Sequence, residues 1–270
     1  MASPQKTESG HIRILQLTDC HLYAQQNTEL LGLDTLASLH AVVDQVLEEA
    51  TAIDLILATG DIAQDASEQG YRHFISAVER LPAPCVWIPG NHDDARLMDY
   101  IGAPLGLNQN WIDLGAWRIV MLDSSLPGSV AGFLAQSQLE RLSDALANAD
   151  DRFVLVCLHH HPVAIGCGWM DPLGLLNSPA LMPIVATDKR VRALLWGHVH
   201  QEFDQQHGPL RLLATPSTCV QFAAHSKEFA TDSQAPGYRW LQLFDDGRIE
   251  TQVKRLPHGR FIPDPDATGY

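Results

Sequence analysis

APCVWIPGNHD, residues 83–93, is the stretch on which the reading of this chain turns. Cys85–Ile88 (CVWI) is a short apolar run of the kind that forms a buried strand. It ends in Gly90-Asn91-His92-Asp93, where an amide, an imidazole and a carboxylate follow a glycine. The same arrangement recurs along the first 200 residues. His11–Thr18 (HIRILQLT) runs into Asp19-Cys20-His21, and Ile53–Thr59 (IDLILAT) into Gly60-Asp61. Phe153–Leu158 (FVLVCL) is followed by His159-His160-His161-Pro162, and Ala193–Trp196 (ALLW) by Gly197-His198-Val199-His200. Trp117–Leu122 (WRIVML) is a further strand-like run. Between the runs lie helical patterns: Leu36, Leu39, Val43, Val46, Leu47 and Ala50 share one face, as do Leu139, Leu142 and Leu146. Ser137 with Glu140 reads as a capping box for the second of these helices. This β-α-β rhythm predicts an α/β layered fold. Residues 201–220 and 238–254 are broken by Gly208, Pro209, Pro216, Gly237 and Gly247, and read as antiparallel strands completing a second sheet.

In open α/β sheets, ligands bind outside the carboxyl ends of the strands. Five strand ends therefore deliver Asp, His and Asn side chains to one rim. Imidazole nitrogens with carboxylate and amide oxygens suit Fe, Mn, Zn or Co rather than a soft thiolate site. In an extended segment, D-x-H and H-x-H place both ligating side chains on one face, and the intervening Cys20 on the other. Glycines before Asp61, Asn91 and His198 leave room at the site. Two ions about 3.5–4 Å apart would activate a bridging water and clamp a phosphoryl oxygen for in-line displacement. Each motif alone is weak, since a single D-x-H or G-D is commonly a surface pair or a turn. The five in this order, each after a buried strand, point to a phosphoesterase.

The ordered set D-x-H, G-D, G-N-H-D, H-x-x-P and G-H-x-H resembles the calcineurin-like metallophosphoesterase superfamily. ILQLTDCHL (14–22), ATGDIAQD (58–65), APCVWIPGNHD, LHHHPV with the following GC-x-W, GHVHQE (197–202) and LLATPSTCVQF (212–222) narrow the resemblance. They are similar to the bacterial class III 3′,5′-cyclic AMP phosphodiesterases of the CpdA type. The resemblance implies a four-layer α/β/β/α sandwich with a dimetal site at the carboxyl ends of the strands. It places Asp19, His21, Asp61 and His200 on one metal, and Asp61, Asn91, His159 and His198 on the other, with Asp61 bridging. Gapless alignment to the family makes His159 the ligand of the triplet; counting back from Pro162 would give His160 instead. The implied cofactor is a pair of divalent or mixed-valence ions, iron or manganese first, zinc or cobalt next.

The expected reaction is hydrolysis of cyclic AMP to 5′-AMP by a hydroxide held between the metals, with neutralisation of the phosphoryl oxygens as the main catalytic term. His92 is the candidate catalytic residue, as general acid to the ribose 3′ oxygen or as a phosphate donor; the alternative is a residue that orients a ligand. His21, Asn91, His92 and His200 are the candidate substrate contacts. His160 and His161 are surplus to the ligand set and could line the substrate pocket. Trp169 or Met170 could pack on a base or belong to the core. Thr215, Ser217 and Thr218 could reach phosphate or ribose, or form a turn. Arg72 and His73 read as solvated surface.

Composition bounds the alternatives. With 270 residues, 46% of them hydrophobic, the chain buries a core without disulfides, which excludes disordered and collagen-like classes. No apolar run is long enough to span a membrane. Residues 1–10 read as a polar flexible tail and 11–270 as a single domain of a cytoplasmic protein, monomer or homodimer. The formal charge of −14 disfavours non-specific nucleic-acid binding, and no basic track with interleaved aromatics suggests a nuclease. The five cysteines, at 20, 85, 157, 167 and 219, form no C-x-x-C and read as reduced, buried thiols. Two other functions share the metal motifs: a phosphodiesterase acting on glycerophosphodiesters or on several cyclic nucleotides, and a non-catalytic scaffold. The scaffold would have lost ligands, and here every motif position is filled.

Overall fold

The computed structural model describes residues 10–264. The expected tail therefore lies outside the described residues, apart from Gly10. β1 (His11–Leu17) leads through a small hairpin, β2 (Glu29–Leu30) and β3 (Leu33–Asp34), into α1 (Thr35–Glu48). β4 (Leu55–Thr59), α2 (Glu68–Val78), β5 (Cys85–Ile88) and α3 (Ala95–Gly102) complete the first half. The second half runs β6 (Trp111–Leu114), β7 (Trp117–Met121), α4 (Gln136–Ala147), β8 (Phe153–Cys157), α5 (Ser178–Thr187) and β9 (Val191–Trp196). Strands alone follow: β10 (Phe203–His207), β11 (Leu210–Ala214), β12 (Gln221–Phe222), β13 (Thr231–Asp232), β14 (Gly237–Phe244) and β15 (Ile249–Arg255).

Two sheets result. One has the order β15-β14-β1-β4-β5, the other β10-β11-β9-β8-β7-β6. Within the first, β1, β4 and β5 are parallel, and within the second β7, β8, β9 and β11 are parallel. Alternate residues of each parallel strand face opposite layers. Ile14, Leu57, Ile88, Ile119, Leu155 and Leu195 meet in an apolar core between the sheets. Their neighbours Leu15, Ile56 and Trp87 turn outward to pack under α1, α2 and α3. Val120, Val156 and Leu194 likewise turn outward, under α4 and α5. The order helix, sheet, sheet, helix is the four-layer α/β/β/α sandwich. Because both faces of these strands are covered, they read in sequence as unbroken apolar runs rather than as an alternation. Among the described residues, no helix is long and apolar enough to cross a membrane.

Three expectations need correction. Residues 201–220 and 238–254 do not complete one sheet together. β10 and β11 extend the six-stranded sheet, whereas β14 pairs antiparallel with β1 and carries β15 as the edge of the other. Strand type is a local property; partner choice is set by distant residues that close the core. The Ser137–Glu140 capping box does not form: α4 begins two residues earlier, behind Ala135, which offers no side-chain cap, and Gln136 donates to Glu140 instead. Helices α2, α3 and α5 also escape the periodicity reading. α5, SPALMPIVAT, is apolar nearly throughout and contains Pro183, so it shows no amphipathic stripe.

Candidate metal centre

The parallel strands of both sheets end at one edge of the sandwich, and the loops beyond them converge there. β1 delivers Asp19 and His21, β4 Asp61, β5 Asn91 and His92; the other sheet delivers His159 after β8, and His198 and His200 after β9. His159 Nε2 lies 3.3 Å from Asp61 Oδ2 and 3.2 Å from Asn91 Oδ1. On the other side of Asp61, His21 Nε2 is 3.8 Å from Oδ2, and His200 Nε2 is 3.5 Å from Asp19 Oδ1. Asp61 thus faces both halves of the cluster. Donor atoms of Asp19, His21 and His200 lie within 4.8 Å of one another, as do those of Asp19, Asp61 and His159.

The ends of β1 and β9 are not extended, which overturns the same-face argument for D-x-H and H-x-H. Asp19, His21, Asp61, His198 and His200 all have φ between 48° and 68°, the left-handed region. Each such residue costs about 1–2 kcal/mol outside glycine, and strained backbone clusters where function holds it in place. The loops are over-determined by hydrogen bonds: Asp19 N–H donates to Gly60 O (3.0 Å), His21 N–H to Asp61 O (2.9 Å) and His198 N–H to Asp19 Oδ1 (2.9 Å). Cys20 is nonetheless turned away from the cluster, into the core beneath α1.

The imidazoles are oriented by acceptors behind them. His159 Nδ1–H donates to Thr59 O (2.8 Å), His200 Nδ1–H to Val220 O (2.8 Å) and His21 Nδ1–H to Gln64 Oε1 (2.5 Å). An oxygen acceptor fixes the proton on Nδ1, so Nε2 of His21 and His200 presents a lone pair inward. His198 gives Nε2–H to Leu173 O (3.1 Å), leaving Nδ1 as its lone pair. The Nε2 atoms of His21 and His200 stand 3.0 Å apart. Two lone pairs at that separation repel unless a cation or proton lies against both. About 3.0 Å is also the span of two nitrogens bound at right angles to one ion at ~2.1 Å. The donor set therefore fits a metal pair.

Titration follows the same geometry. Burial lowers His21 to about 3 and holds His198 and His160 well below the usual histidine range. Burial acts on His159 in the same direction, but the adjacent Asp61 carboxylate outweighs it and pushes His159 up to about 9. At neutral pH and without metal, a proton on His159 faces the Asp61 carboxylate. Because ligation requires neutral imidazole, loading at pH 7.5 is expected to release close to one proton from His159 and none from His21 or His198. Calorimetry of Mn²⁺ binding in buffers of different ionisation enthalpy measures this number; a value near zero would contradict the protonated state.

Of the eight expected site residues, only Asn91 and His92 are partly exposed; Asp19, His21, Asp61, His159, His198 and His200 are buried. His21 and His200 were expected as substrate contacts as well as ligands. Their rings are enclosed and their Nδ1 atoms committed, whereas the side chains of Asn91 and His92 are partly exposed. His92 plays two parts, its backbone N–H donating to Asp61 Oδ1 (2.9 Å) and its ring standing edge-on to His21 at 5.0 Å. Between His159 and His160, the structure brings His159 to Asp61. His160 is turned to Ser124 Oγ (2.8 Å) and Val130 O (3.1 Å), whereas His161 stacks on His198 and lines a cavity of about 230 Å³ with Pro162, Asp171 and Leu175. Met170 belongs to the core, and Trp169 packs against Phe222 and Phe229. Thr215, Ser217 and Thr218 are all buried; Ser217 Oγ–H donates to Asp19 O (2.7 Å). Arg72 pairs with Glu68 on the surface of α2, and His73 Nδ1 bonds Tyr23 O.

Three supporting residues were not singled out from sequence. Asp93 accepts from the backbone N–H groups of Ile62, Ala63 and Gly90, binding the Asp61 loop to the Asn91 loop; burial and the Asp61 charge raise it to about 6. Gln64 holds His21, and Phe222 lies flat on His200 at 4.2 Å. Only Asp93 carried a signal, as the last residue of GNHD. Gly90 has a steric reason: a Cβ there would lie 2.1 Å from Asp61 Oδ1 and 2.5 Å from Asp61 N. Gly90→Ala is expected to displace Asp61, weakening Mn²⁺ binding by about 10- to 100-fold, the range found when groups supporting ligands are disturbed. A metal titration reads the effect.

A paired-sheet sandwich carrying nitrogen and oxygen donors at the carboxyl edges of both sheets is the architecture of the dimetal phosphoesterases. Residues 12–202 match the model of the calcineurin-like phosphoesterases, and the chain belongs to that family. It is 51% identical over 259 residues to the 3′,5′-cyclic adenosine monophosphate phosphodiesterase CpdA of Pseudomonas aeruginosa, covering 96% of this chain and 95% of that protein. The CpdA of Escherichia coli K12 is 44% identical, with 97% and 96% covered. A 3′,5′-cyclic-nucleotide phosphodiesterase of Nostoc is 35% identical, with 92% and 93% covered. Among solved structures, a dimetal phosphatase from Danio rerio superposes with a TM-score of 0.61 at 16% identity, covering 90% of this chain and 98% of that one. A purple acid phosphatase from yellow lupin gives 0.62 at 16%, covering 97% and 54%. These two speak to the fold.

Proposed function

We propose that the protein hydrolyses 3′,5′-cyclic AMP to 5′-AMP. Asp19, His21, Asp61 and His200 hold one metal ion, and Asp61, Asn91, His159 and His198 the other. The observation that carries the chemistry is the set of imidazole Nε2 atoms of His159, His200 and His21 turned inward around Asp61, each ring oriented from behind by Thr59, Val220 or Gln64. The substrate rests on the near-full-length likeness to the two CpdA proteins. When bound, the ion pair neutralises charge on the phosphoryl oxygens and acidifies the attacking water. Imidazole, carboxylate and amide donors without thiolate suit iron or manganese, then zinc or cobalt.

The protein's own groups do the rest. The partly exposed Asn91 amide N–H donates to a phosphoryl oxygen and fixes the diester against the cluster. A water oxygen forms the new bond to phosphorus, its proton passing to solvent, while the P–O3′ bond breaks. O3′ leaves as the hydroxyl, taking its proton from the His92 ring at the rim. Residues 11–270 act as one domain, as a monomer or homodimer. A cytoplasmic setting agrees with the five free thiols, which a reducing compartment preserves. The likeness to the Nostoc cyclic-nucleotide phosphodiesterase favours a second reading, activity on several cyclic nucleotides.

The test is hydrolysis of cyclic AMP, cyclic GMP and bis-p-nitrophenyl phosphate by Mn²⁺-loaded wild type and Asn91→Ala. Cyclic AMP turned to 5′-AMP, and lost with the substitution, supports the site and the substrate. Comparable rates on both nucleotides establish the second reading. Activity on the synthetic diester alone removes the cyclic AMP assignment but keeps the chemistry. Two bound ions with no hydrolysis of any of them would leave a scaffold.

A further inference from the structure

We propose that Gln16 is a positioning residue that sets the spacing between the two halves of the metal centre, through a buried relay with Thr215 and Arg239. The inference rests on the dinuclear reading above. The candidate ligands are divided between the sheets: Asp19, His21, Asp61 and Asn91 follow strands of one, and His159, His198 and His200 follow strands of the other. Between the sheets the core is apolar. Hydrophobic burial is non-directional, so it sets the thickness of the layer but only weakly opposes lateral sliding. A dinuclear centre built across that layer needs directional bonds to fix one sheet against the other.

Gln16, on β1 and fully buried, supplies them where the strands end. Its Nε2 donates to Thr59 Oγ1 (2.8 Å) on β4 and to Trp196 O (3.2 Å) on β9. Its Oε1 accepts from the Thr215 hydroxyl, just beyond β11. These partners sit next to the ligands. Thr59 precedes Asp61 by two residues and its carbonyl holds His159; Trp196 precedes His198 by two; Gln16 precedes Asp19 by three.

The orientation of the Gln16 amide is itself dictated. Arg239, its partner across β1 and β14, is a buried guanidinium. It donates to Thr215 Oγ1 (3.0 Å), Ala214 O (2.7 Å), Phe203 O (3.3 Å) and Thr251 Oγ1 (3.0 Å). Guanidinium can only donate, so Thr215 accepts from Arg239 and must aim its own proton at Gln16. The carbonyl end of Gln16 is thereby fixed on Thr215, and its amino group on β4 and β9. The relay runs one way, and no flipped amide satisfies it.

Gln16→Met keeps the length and apolar bulk of the side chain and removes the bonds of Gln16 to Thr59, Trp196 and Thr215. Wild type loaded with two equivalents of Mn²⁺ is expected to show the exchange-coupled electron paramagnetic resonance spectrum of a pair. At the same loading, Gln16→Met is expected to show isolated Mn²⁺, with the second ion bound about 10- to 100-fold more weakly, as when supporting groups of a metal site are lost. Diester turnover is expected to fall in kcat with KM within about threefold. Thr215→Val, which retains shape and Gln16, is expected to move the same readouts in the same direction; it carries the test if Gln16→Met fails to fold. Variants that fold, bind both ions within about twofold of wild type and keep the coupled spectrum would overturn the proposal, whatever their thermal stability. A wild type that shows no coupled pair would overturn the dinuclear reading, and the inference with it.

Discussion

Asp61→Asn is expected to lower turnover of a cyclic phosphodiester by at least about 10³-fold, a loss of roughly 4 kcal/mol in transition-state stabilisation. Asp61 belongs to both halves of the donor cluster, with Oδ2 lying 3.8 Å from His21 Nε2 and 3.3 Å from His159 Nε2. Oδ1 is held by the His92 N–H at 2.9 Å. An asparagine keeps the shape but offers one oxygen where two are needed, and turns an amino group toward one neighbour. It also removes the charge that raises His159, so the imidazole and the metal lose a common partner. The expected consequence is a protein that folds, binds fewer than two ions and turns over at near background. Steady-state kinetics with metal analysis decides the matter. Two ions bound with activity within tenfold of wild type would show that Asp61 does not bridge.

Metal removal is expected to have an equally large effect on activity and a second one on stability. Chelation should reduce hydrolysis to background and lower Tm by about 5–10 °C. One site kept at a hundred times its Kd stabilises the folded state by about 2.7 kcal/mol, and a chain of this size shifts roughly 2–4 °C for each kcal/mol. The structural reason lies in the backbone. Asp19, His21, Asp61, His198 and His200 sit in left-handed conformations, and the His21 and His200 lone pairs face one another at 3.0 Å. Ligation relieves that repulsion and holds the strained loops in place. A thermal scan in EDTA, repeated after Mn²⁺ is restored, tests both effects. Unchanged Tm and activity in EDTA would exclude a metal centre.

The supporting residues show where sequence reading stops. His159, His198 and His200 are visible because each follows an apolar run that could only be a buried strand. Gln16 lies on β1, Gln64 in the loop after β4 and Phe222 on β12, yet nothing in their type or spacing distinguishes them. Gln16 shares its strand with the polar Arg13, and its meaning depends on Thr59, Trp196 and Thr215, which lie on or just beyond three other strands. The geometry of D-x-H was misjudged for a related reason. Extended backbone was the local default, and the left-handed turns at Asp19 and His21 are imposed by hydrogen bonds to the Asp61 loop, some forty residues away.

The sequence by itself determined the layered α/β class, the strand ends that carry chemistry and the residue types placed there. Those are local matters: an apolar run with both faces covered, a glycine where two loops touch, a histidine at the end of a strand. Tertiary structure alone decided that β14 and β15 close the first sheet rather than the second. It also decided that the ends of β1 and β9 leave the extended conformation, and that His21 and His200 are enclosed while Asn91 and His92 are partly exposed. Each of these depends on which distant segments share a core, and the burial that selects them is a property of the whole chain.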